Sequence, residues 1–214
     1  MVGKGVPMKL NKCLFPVAGY GTRFLPATKA IPKEMLPIVT KPLIQYGVEE
    51  AMEAGISDMT FVTGRNKRAI EDHFDINYEL EDKISGTDKE SLLDSSRQIM
   101  GKCSFAYKRQ VEMLGLGHAI LVGRPLIGEE PFAVILPDDF CHASDDGVIS
   151  QMAKLFDKYQ CSIVAIEEVP KEHTHRYGAV SYTHLRAHET PEHRGWRGRL
   201  EKKKGGGGGG GGGG

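Results

Sequence analysis

Short apolar runs alternate with helical patterns along most of the chain. Runs rich in Val, Ile and Phe predict strands, and apolar positions at helical spacing predict helices between them. The predicted strands cover residues 13–18, 59–63, 104–107, 132–136 and 161–166, and the predicted helices cover residues 43–54, 66–74, 117–122 and 148–159. Strands separated by helices indicate an α/β fold with a Rossmann-like, doubly wound and mainly parallel sheet.

Particular residues refine the boundaries of these elements. Gly55 is placed to end the first helix, and Asn66 is placed to cap the second. The charged segment 77–100 has a mostly helical pattern with a break at Gly86, which predicts an insertion outside the sheet. Ligands in such folds bind beyond the carboxyl ends of the strands, so residues that follow the strands are the candidates for a functional site.

A glycine-rich turn directly follows the first predicted strand. Gly19 and Gly21 can adopt positive φ and let backbone N–H groups point into a concavity. Arg23, Lys29 and Lys33 follow and can bring positive charge to an anion placed there. The segment therefore predicts a site for a nucleoside triphosphate. The alternative is a plain turn with scattered surface cations, because Lys and Arg are usually solvated.

Two common nucleotide motifs do not fit this turn. A dinucleotide fingerprint needs a third glycine, and Phe24 stands at that place. A P-loop ends in Gly-Lys followed by Ser or Thr, whereas Thr22 and Arg23 follow the second glycine here. The turn therefore belongs to another class of phosphate site.

Several segments resemble the signature of the sugar-phosphate nucleotidyltransferase family. They are Gly19-Tyr-Gly-Thr-Arg23, Pro26-Ala-Thr-Lys29 and Pro32-Lys-Glu-Met-Leu-Pro37, joined by Gln110-Val-Glu-Met-Leu-Gly-Leu-Gly-His118 and Leu136-Pro-Asp138. Segments 32–37, 110–118 and 136–138 are similar to those of the bacterial family members that transfer a uridylyl group. The resemblance spans residues 8–179. It implies an enzyme that forms UDP-glucose and pyrophosphate from UTP and glucose 1-phosphate, with Mg²⁺ as cofactor and a homo-oligomeric full-length protein.

The resemblance also implies roles for individual residues. Arg23 and Lys33 match the catalytic cations, Asp138 matches the metal ligand, and Gly178 matches a residue that approaches the sugar phosphate. The nucleotide-binding positions are Ala18, Gly19, Gly21, Thr22, Gln110, Gly115 and Gly117. Gln110 corresponds to the residue with which the family reads the base. Asp139 is a second metal candidate on composition, although neighbouring side chains on an extended backbone point in opposite directions.

Two alternatives remain open. Another sugar-phosphate nucleotidyltransferase, such as a thymidylyl- or cytidylyltransferase, would use the same phosphate turn, but segment 32–37 and Gln110 argue against it. A non-catalytic nucleotide-binding module is the alternative from another class, because the family takes further sugar and metal contacts from beyond residue 179. The chain is therefore expected to be an inactive fragment of a uridylyltransferase.

The last part of the chain has an unusual composition. Residues 180–190 resemble a translated transposase adapter from a sequencing library, and a lysine run then passes into ten glycines. We therefore expect a flexible N-terminus over residues 1–7, a nucleotidyltransferase domain over residues 8–179, and a non-native tail over residues 180–214. A natural glycine linker is the other interpretation of the tail.

Charge and cysteine usage exclude some function classes. The chain has 28 basic and 28 acidic residues, and residues 181–214 contain seven of the basic and three of the acidic ones. Residues 1–180 therefore carry 21 basic and 25 acidic residues, a net charge of −4. Such a surface does not predict a nucleic acid partner. The four cysteines are widely spaced, and no apolar run is long enough to cross a membrane. We therefore expect a cytoplasmic protein with reduced thiols and no membrane partner.

Overall fold

Four parallel strands form the central sheet of the computed structural model, which describes residues 8–139, 141, 146–166, 170 and 172. In chain order the strands are β1 (Lys12–Pro16), β2 (Pro37–Ile38), β3 (Lys41–Pro42), β4 (Asp58–Thr63), β5 (Ser104–Arg109) and β6 (Phe132–Val134). The helices are α1 (Leu43–Glu53), α2 (Arg68–His73), α3 (Tyr78–Ile84), α4 (Asp94–Lys102), α5 (Leu116–Ile127) and α6 (Val148–Tyr159). The sheet has the order β5-β4-β1-β6, and β2 and β3 form a separate antiparallel pair.

The centre of the sheet is β1, whose side chains are apolar on both faces. Cys13, Leu14 and Phe15 are all fully buried, which suits a parallel sheet that is covered by helices on both sides. Cys13 lies opposite Met59 of β4 and also opposite Ala133 of β6. The sheet therefore extends from β1 in both directions.

Helices pack on both faces of this sheet. Leu14 and Phe15 are neighbours in β1, so their side chains point to opposite faces. The Phe15 face packs against residues of α1, α2, α4 and α6, namely Ile44, Ile70, Ile99 and Ile149. The Leu14 face packs against α5 through Ala119 and Ile127, together with Val62 of β4. The predicted doubly wound, mainly parallel arrangement is confirmed.

Most predicted elements agree with the structure. Helix α1 ends just before Gly55, whose φ of +83° is the left-handed conformation that glycine adopts without strain. Helix α6 has the predicted bounds. The charged segment 77–100 contains α3, a short 3-10 turn and most of α4, and none of its residues joins the sheet.

The predicted cap of the second helix is wrong. Asn66 has a φ of +63° and lies outside the helix, which begins at Arg68 with no side-chain hydrogen bond at the cap position, Lys67. Asparagine tolerates the left-handed conformation better than most residues. The Lys67 side chain forms a buried ion pair with Glu34, and this tertiary contact, rather than a local cap, accompanies the turn into α2.

The predicted strand at residues 161–166 is also wrong. These residues have no regular secondary structure, and Val164 and Ile166 are 51% and 57% exposed. A short apolar run matches a strand pattern, but a strand forms only where a neighbour completes its hydrogen-bond ladder. The ladders of the described sheet involve β1, β4, β5 and β6 only. Strand β6 ends at Val134 and is thus shorter than predicted.

The chain divides into two units between Gln160 and Cys161, and all the helices and strands named above lie in the first. No helix in the described part of the chain is long and apolar enough to span a bilayer. Gly178 and the predicted tail, residues 180–214, lie outside the described residues.

Candidate functional site

The carboxyl ends of the four parallel strands meet at one edge of the sheet. Ala18 follows β1, Gly64 follows β4, Gln110 follows β5, and Asp138 comes shortly after β6. The chain adds β4 and β5 on one side of β1 and then adds β6 on the other, so the direction of strand addition switches between β1 and β6. Such a switch point opens a crevice at the carboxyl ends of the strands, where ligands bind in folds of this class.

The glycine turn after β1 folds back on the residues that follow it. Gly21 has a φ of +68°, and a Cβ placed on it would lie 3.1 Å from the Cβ of Lys33. The Thr28 hydroxyl donates a hydrogen bond to the Gly21 carbonyl at 2.7 Å. Among the described residues, no atom lies within 4 Å of a Cβ placed on Gly19, which leaves open space beside the turn in that part of the chain. Glycine at position 21 thus permits the close approach that brings Lys33 to the turn.

Two cations converge on one carboxylate at the crevice. Lys33 donates a hydrogen bond from Nζ to Oδ2 of Asp138 at 2.6 Å, and Arg23 Nη2 lies 3.5 Å from the same oxygen. The Lys33 side chain is 16% exposed, whereas that of Arg23 is 83% exposed. Lys29 is exposed and does not join this cluster. The cluster carries more positive than negative charge, so it favours binding of a further anion.

The charge state of Asp138 follows from these neighbours. Burial raises the pKa of the Asp138 carboxyl, but the hydrogen bond and charge of Lys33, with a smaller contribution from Arg23, outweigh it. The net effect lowers the pKa below its usual value. Asp138 is therefore ionised near neutral pH and can act as a ligand for a cation.

Asp139 does not belong to the same cluster. Its backbone N–H donates a hydrogen bond to the Leu136 carbonyl at 3.0 Å, and the residue is exposed. Among the described residues, no group of three or more His, Cys, Asp or Glu side chains is arranged to hold a metal ion. The carboxylate that lies in the crevice with Lys33 is therefore Asp138, supported by cations rather than by further acidic residues.

The residue after Lys33 takes part in a buried ion pair. Glu34 is fully buried, and its Oε2 accepts a hydrogen bond from Lys67 Nζ at 2.7 Å. Lys67 is only 5% exposed, and the other carboxylate oxygen of Glu34 is buried without a hydrogen-bond partner in the part of the chain that the structure describes. This pair was not predicted from the sequence. A glutamate at a buried position requires a nearby cation, but the sequence offers Arg65, Lys67 and Arg68 as equivalent candidates.

A second group of predicted residues surrounds Gln110. The Gln110 side chain is almost completely buried, and its backbone N–H donates to the Thr63 carbonyl at 2.8 Å. Its Nε2 lies 2.8 Å from Nδ1 of His118 and 3.5 Å from the carbonyl oxygen of Gly115. Gly115 has a φ of +92° immediately before α5, and no atom of the described residues lies within 4 Å of a Cβ placed on Gly115 or on Gly117. These glycines leave open space beside the Gln110 amide.

Gly64 connects the two groups of residues. A Cβ placed on Gly64 would lie 2.9 Å from the Ala18 carbonyl oxygen and 2.9 Å from Cε of Met113. The start of the glycine turn and the segment after β5 are therefore both in contact with Gly64. The structure thus brings Ala18, Gly19, Gly21, Thr22, Arg23, Lys33, Gln110, Gly115, Gly117 and Asp138 to one edge of the sheet.

Comparison with protein families identifies a match over most of the chain. The model of the nucleotidyl transferase family matches residues 16–192. UTP–glucose-1-phosphate uridylyltransferase of Pseudomonas aeruginosa is 65% identical over 173 residues, which cover 80% of this chain and 62% of the relative. The enzyme of the same name from Bacillus subtilis is 51% identical over 172 residues, which cover 80% of this chain and 59% of the relative.

Solved structures show the same similarity. A crystal structure of apo UDP-glucose pyrophosphorylase has a TM-score of 0.79 and 63% identity, covering 83% of this chain and 65% of that one. A UTP-bound UGPase from Acinetobacter baumannii has a TM-score of 0.76 and 41% identity, covering 82% of this chain and 62% of that one. The chain thus spans less than two thirds of the length of these relatives.

Proposed function

Because this chain belongs to the nucleotidyl transferase family, we propose that it is the nucleotide-binding part of a UTP:glucose-1-phosphate uridylyltransferase. The observation that carries this proposal is the convergence of Arg23 and Lys33 on Asp138 at the switch point between β1 and β6. The reaction would join UTP and glucose 1-phosphate to give UDP-glucose and pyrophosphate. The names of the relatives and the UTP-bound state of one of them support this choice of substrates.

The chemistry is an in-line displacement at the α-phosphorus of UTP. An oxygen of glucose 1-phosphate forms the new bond to this phosphorus, while the bond to the bridging oxygen breaks and pyrophosphate leaves with the electron pair. Negative charge grows on the phosphoryl oxygens and on the leaving pyrophosphate, so cations that are already in place lower the barrier. Lys33 and Arg23 would supply this charge, and no group of the protein needs to form a covalent intermediate.

The residues in the crevice fit a magnesium ion. Mg²⁺ is usually bound through one or two carboxylates, with the triphosphate and water supplying the other ligands. Asp138 is an ionised carboxylate beside the open turn, and its position matches such a donor set. Bound there, Mg²⁺ would neutralise charge on the triphosphate. Lys33 would then exchange part of its contact with Asp138 for contact with phosphate oxygens.

The nucleoside would lie between the glycine turn and the start of α5. Ala18, Gly19, Gly21 and Thr22 would contact the phosphates and ribose through the backbone, as the open space beside Gly19 allows. Gln110 would read the base, and Gly115 and Gly117 would let the nucleoside lie against the backbone. Gly178, which lies outside the described residues, would contact the sugar, and the full-length protein would form a homo-oligomer.

The experiment is a pyrophosphate-release assay with identification of the sugar nucleotide. It is run on the 214-residue chain and on an extended chain, in which residues 8–179 are followed by the C-terminal region of the Pseudomonas aeruginosa relative. We expect the extended chain to form UDP-glucose from UTP and to be much slower with dTTP or CTP. Preference for dTTP or CTP would instead favour the related thymidylyl- or cytidylyltransferases. UTP binding without turnover in the extended chain would favour a non-catalytic module.

A further inference from the structure

The amide of Gln110 is held in one orientation by two neighbours. We propose that His118 is a positioning residue that fixes this orientation, so that the site presents a hydrogen-bond acceptor to the N3–H of uracil and disfavours cytosine. The inference rests on the proposed function, because it concerns how the same site selects its nucleotide. It assigns a role to the side chain of His118, for which we predicted none from the sequence.

The Gly115 carbonyl determines which end of the amide faces His118. A carbonyl oxygen can only accept hydrogen bonds, so the Gln110 atom that lies 3.5 Å from it must be the donor, Nε2. The reverse orientation would place Oε1 against another oxygen. Nε2 also lies 2.8 Å from Nδ1 of His118, and this ring nitrogen must therefore be unprotonated and accept the hydrogen bond. The ring proton of neutral His118 then lies on its Nε2.

The fixed amide leaves its oxygen as the group that reads the base. Among the described residues no donor is paired with Oε1 of Gln110. Uracil carries a hydrogen on N3 that can bond to this oxygen, whereas N3 of cytosine carries a lone pair. A site that is built to accept a hydrogen bond rejects a ligand that lacks the donor, because its own acceptor is left unpaired. The orientation of the amide thus sets the choice between UTP and CTP.

The bond to Gln110 is not a by-product of helix capping. Helix α5 begins after Gly115, and no side chain caps it at this position. The Gly115 carbonyl accepts a hydrogen bond from the Ala119 N–H. His118 lies in the first turn of the helix and is half-buried, so its ring is not enclosed in the apolar core. Its hydrogen bond to Gln110 is therefore the specific contact that the side chain makes in this region.

Two substitutions of similar size separate the acceptor from the bulk of the ring. In His118→Asn, Oδ1 takes the place of ring Nδ1 because both atoms are bonded to Cγ, so the acceptor is kept. His118→Leu fills similar space without an acceptor. We expect the ratio of the Kd values for CTP and UTP to fall roughly tenfold in His118→Leu, which corresponds to one hydrogen bond, and to change less than about twofold in His118→Asn.

The chain offers a matched control elsewhere. Nε2 of His73 lies 3.0 Å from Oε1 of Gln45, which forms a second His–Gln pair away from the carboxyl ends of the strands. His73→Leu should leave the CTP to UTP ratio unchanged. Dissociation constants are measured by NMR titration of the 214-residue chain with each nucleotide and Mg²⁺, because this method detects weak binding. Equal ratios in the parent, His118→Leu and His118→Asn would overturn the proposal.

A second measurement, on the protein without nucleotide, tests the orientation of the Gln110 amide independently of UTP binding. The ¹⁵N shifts of the imidazole nitrogens show which one is protonated, and the His118 signals are those lost in His118→Asn. We expect Nδ1 of His118 to be unprotonated in the neutral ring. A proton on Nδ1 would place Oε1 of Gln110 toward the ring and overturn the proposal. Failure of the parent to bind UTP would contradict the proposed function, while the tautomer would still decide the orientation of the amide.

Discussion

At the scale of single residues, the central feature is one carboxylate shared by two cations of different exposure. Lys33 is largely buried and lies 2.6 Å from Asp138, whereas Arg23 is mostly exposed and lies 3.5 Å away. A triphosphate bound at the proposed site would meet a largely buried cation and an exposed one. We infer that both cations would neutralise charge on the phosphates.

The first prediction concerns these two cations. In the extended chain, Lys33→Ala and Arg23→Ala should each lower turnover strongly, because loss of one preorganised contact removes about 2.7–4 kcal/mol of transition-state stabilisation. The melting temperature should change little for Arg23→Ala, since exposed ion pairs contribute little stability. Lys154→Ala, which removes an exposed cation paired with Asp146 on another part of the surface, is the control. Activity within about twofold of the parent for both variants would contradict the phosphate-binding role.

The second prediction separates the neighbouring aspartates. Asp138→Asn keeps the shape of the side chain but removes the charge that a metal ion needs, so it should weaken Mg²⁺-dependent binding of UTP. Asp139→Asn should have a smaller effect, because Asp139 is exposed and lies outside the cluster. Binding is measured by calorimetry at several Mg²⁺ concentrations. If Asp139→Asn proved the more harmful change, the metal ligand would be Asp139.

The third prediction concerns acid stability. The folded state lowers the pKa of Asp138 from its usual value of 3.8, so the ionised carboxylate stabilises the fold above that pH. This contribution is lost as the pH falls through the lower pKa of the folded state. The difference in free energy of unfolding between the parent and Asp138→Asn should therefore shrink below about pH 4. Urea unfolding of both proteins at a series of pH values measures this difference. A difference that grows as the pH falls would contradict the prediction.

At the scale of elements, the short turns between β1 and α1 need support from outside the segment. The 3-10 turn Lys33–Met35 carries the catalytic candidate Lys33 and the buried Glu34, and Glu34 pairs with Lys67 from the turn that follows β4. This buried ion pair connects the 3-10 turn to the segment that follows the central strand β4. We infer that the pair holds Lys33 at the crevice.

The fourth prediction tests this support. Lys67→Met leaves the Glu34 carboxylate buried without its partner, which should destabilise the protein by about 3–5 kcal/mol. The double variant Glu34→Gln with Lys67→Met removes the buried charge and should recover much of the loss. Urea unfolding of the parent, both single variants and the double variant gives the coupling energy between the two sites. A Lys67→Met cost below about 1 kcal/mol would show that the pair is solvated and does not hold the turn.

Local patterns predict some elements better than others. The bounds of α6 and the end of α1 could be predicted because helical spacing and Gly55 encode them within the segment itself. The start of α2 could not be predicted, because the ion pair of Lys67 with Glu34 is a contact between distant parts of the chain. The apolar run at residues 161–166 matches a strand, but the pattern does not show whether a neighbour is present to pair with it.

At the scale of the whole molecule, the parallel sheet explains how residues far apart in sequence reach one edge. The glycine turn, Gln110 and Asp138 each follow a strand, so a sheet of parallel strands was sufficient to predict that they converge. The pairing of Gln110 with His118, and the burial of Glu34, could not be predicted because they depend on side-chain packing between segments. The sequence thus indicates the place of the site better than its internal hydrogen bonds.

The fifth prediction concerns the unusual end of the chain. Its glycine run and adapter-like composition lead us to expect that residues 181–214 contribute no apolar packing to residues 8–179. Deletion of residues 181–214 should leave the melting temperature unchanged within error, as measured by differential scanning calorimetry. A large loss of stability would show that this segment is structural.

The most direct test of the central claim is to locate the bound triphosphate. The 214-residue chain is titrated with UTP and Mg²⁺, and the shifts of its assigned backbone amides are followed by NMR, which detects even weak binding. We predict that the largest changes fall at Gly19, Gly21, Lys33 and Gln110, and that Lys33→Ala suppresses them. Changes confined to another surface, such as the hollow lined by Phe74, Ile76 and Phe105, would contradict the assignment of the crevice between β1 and β6 as the nucleotide site.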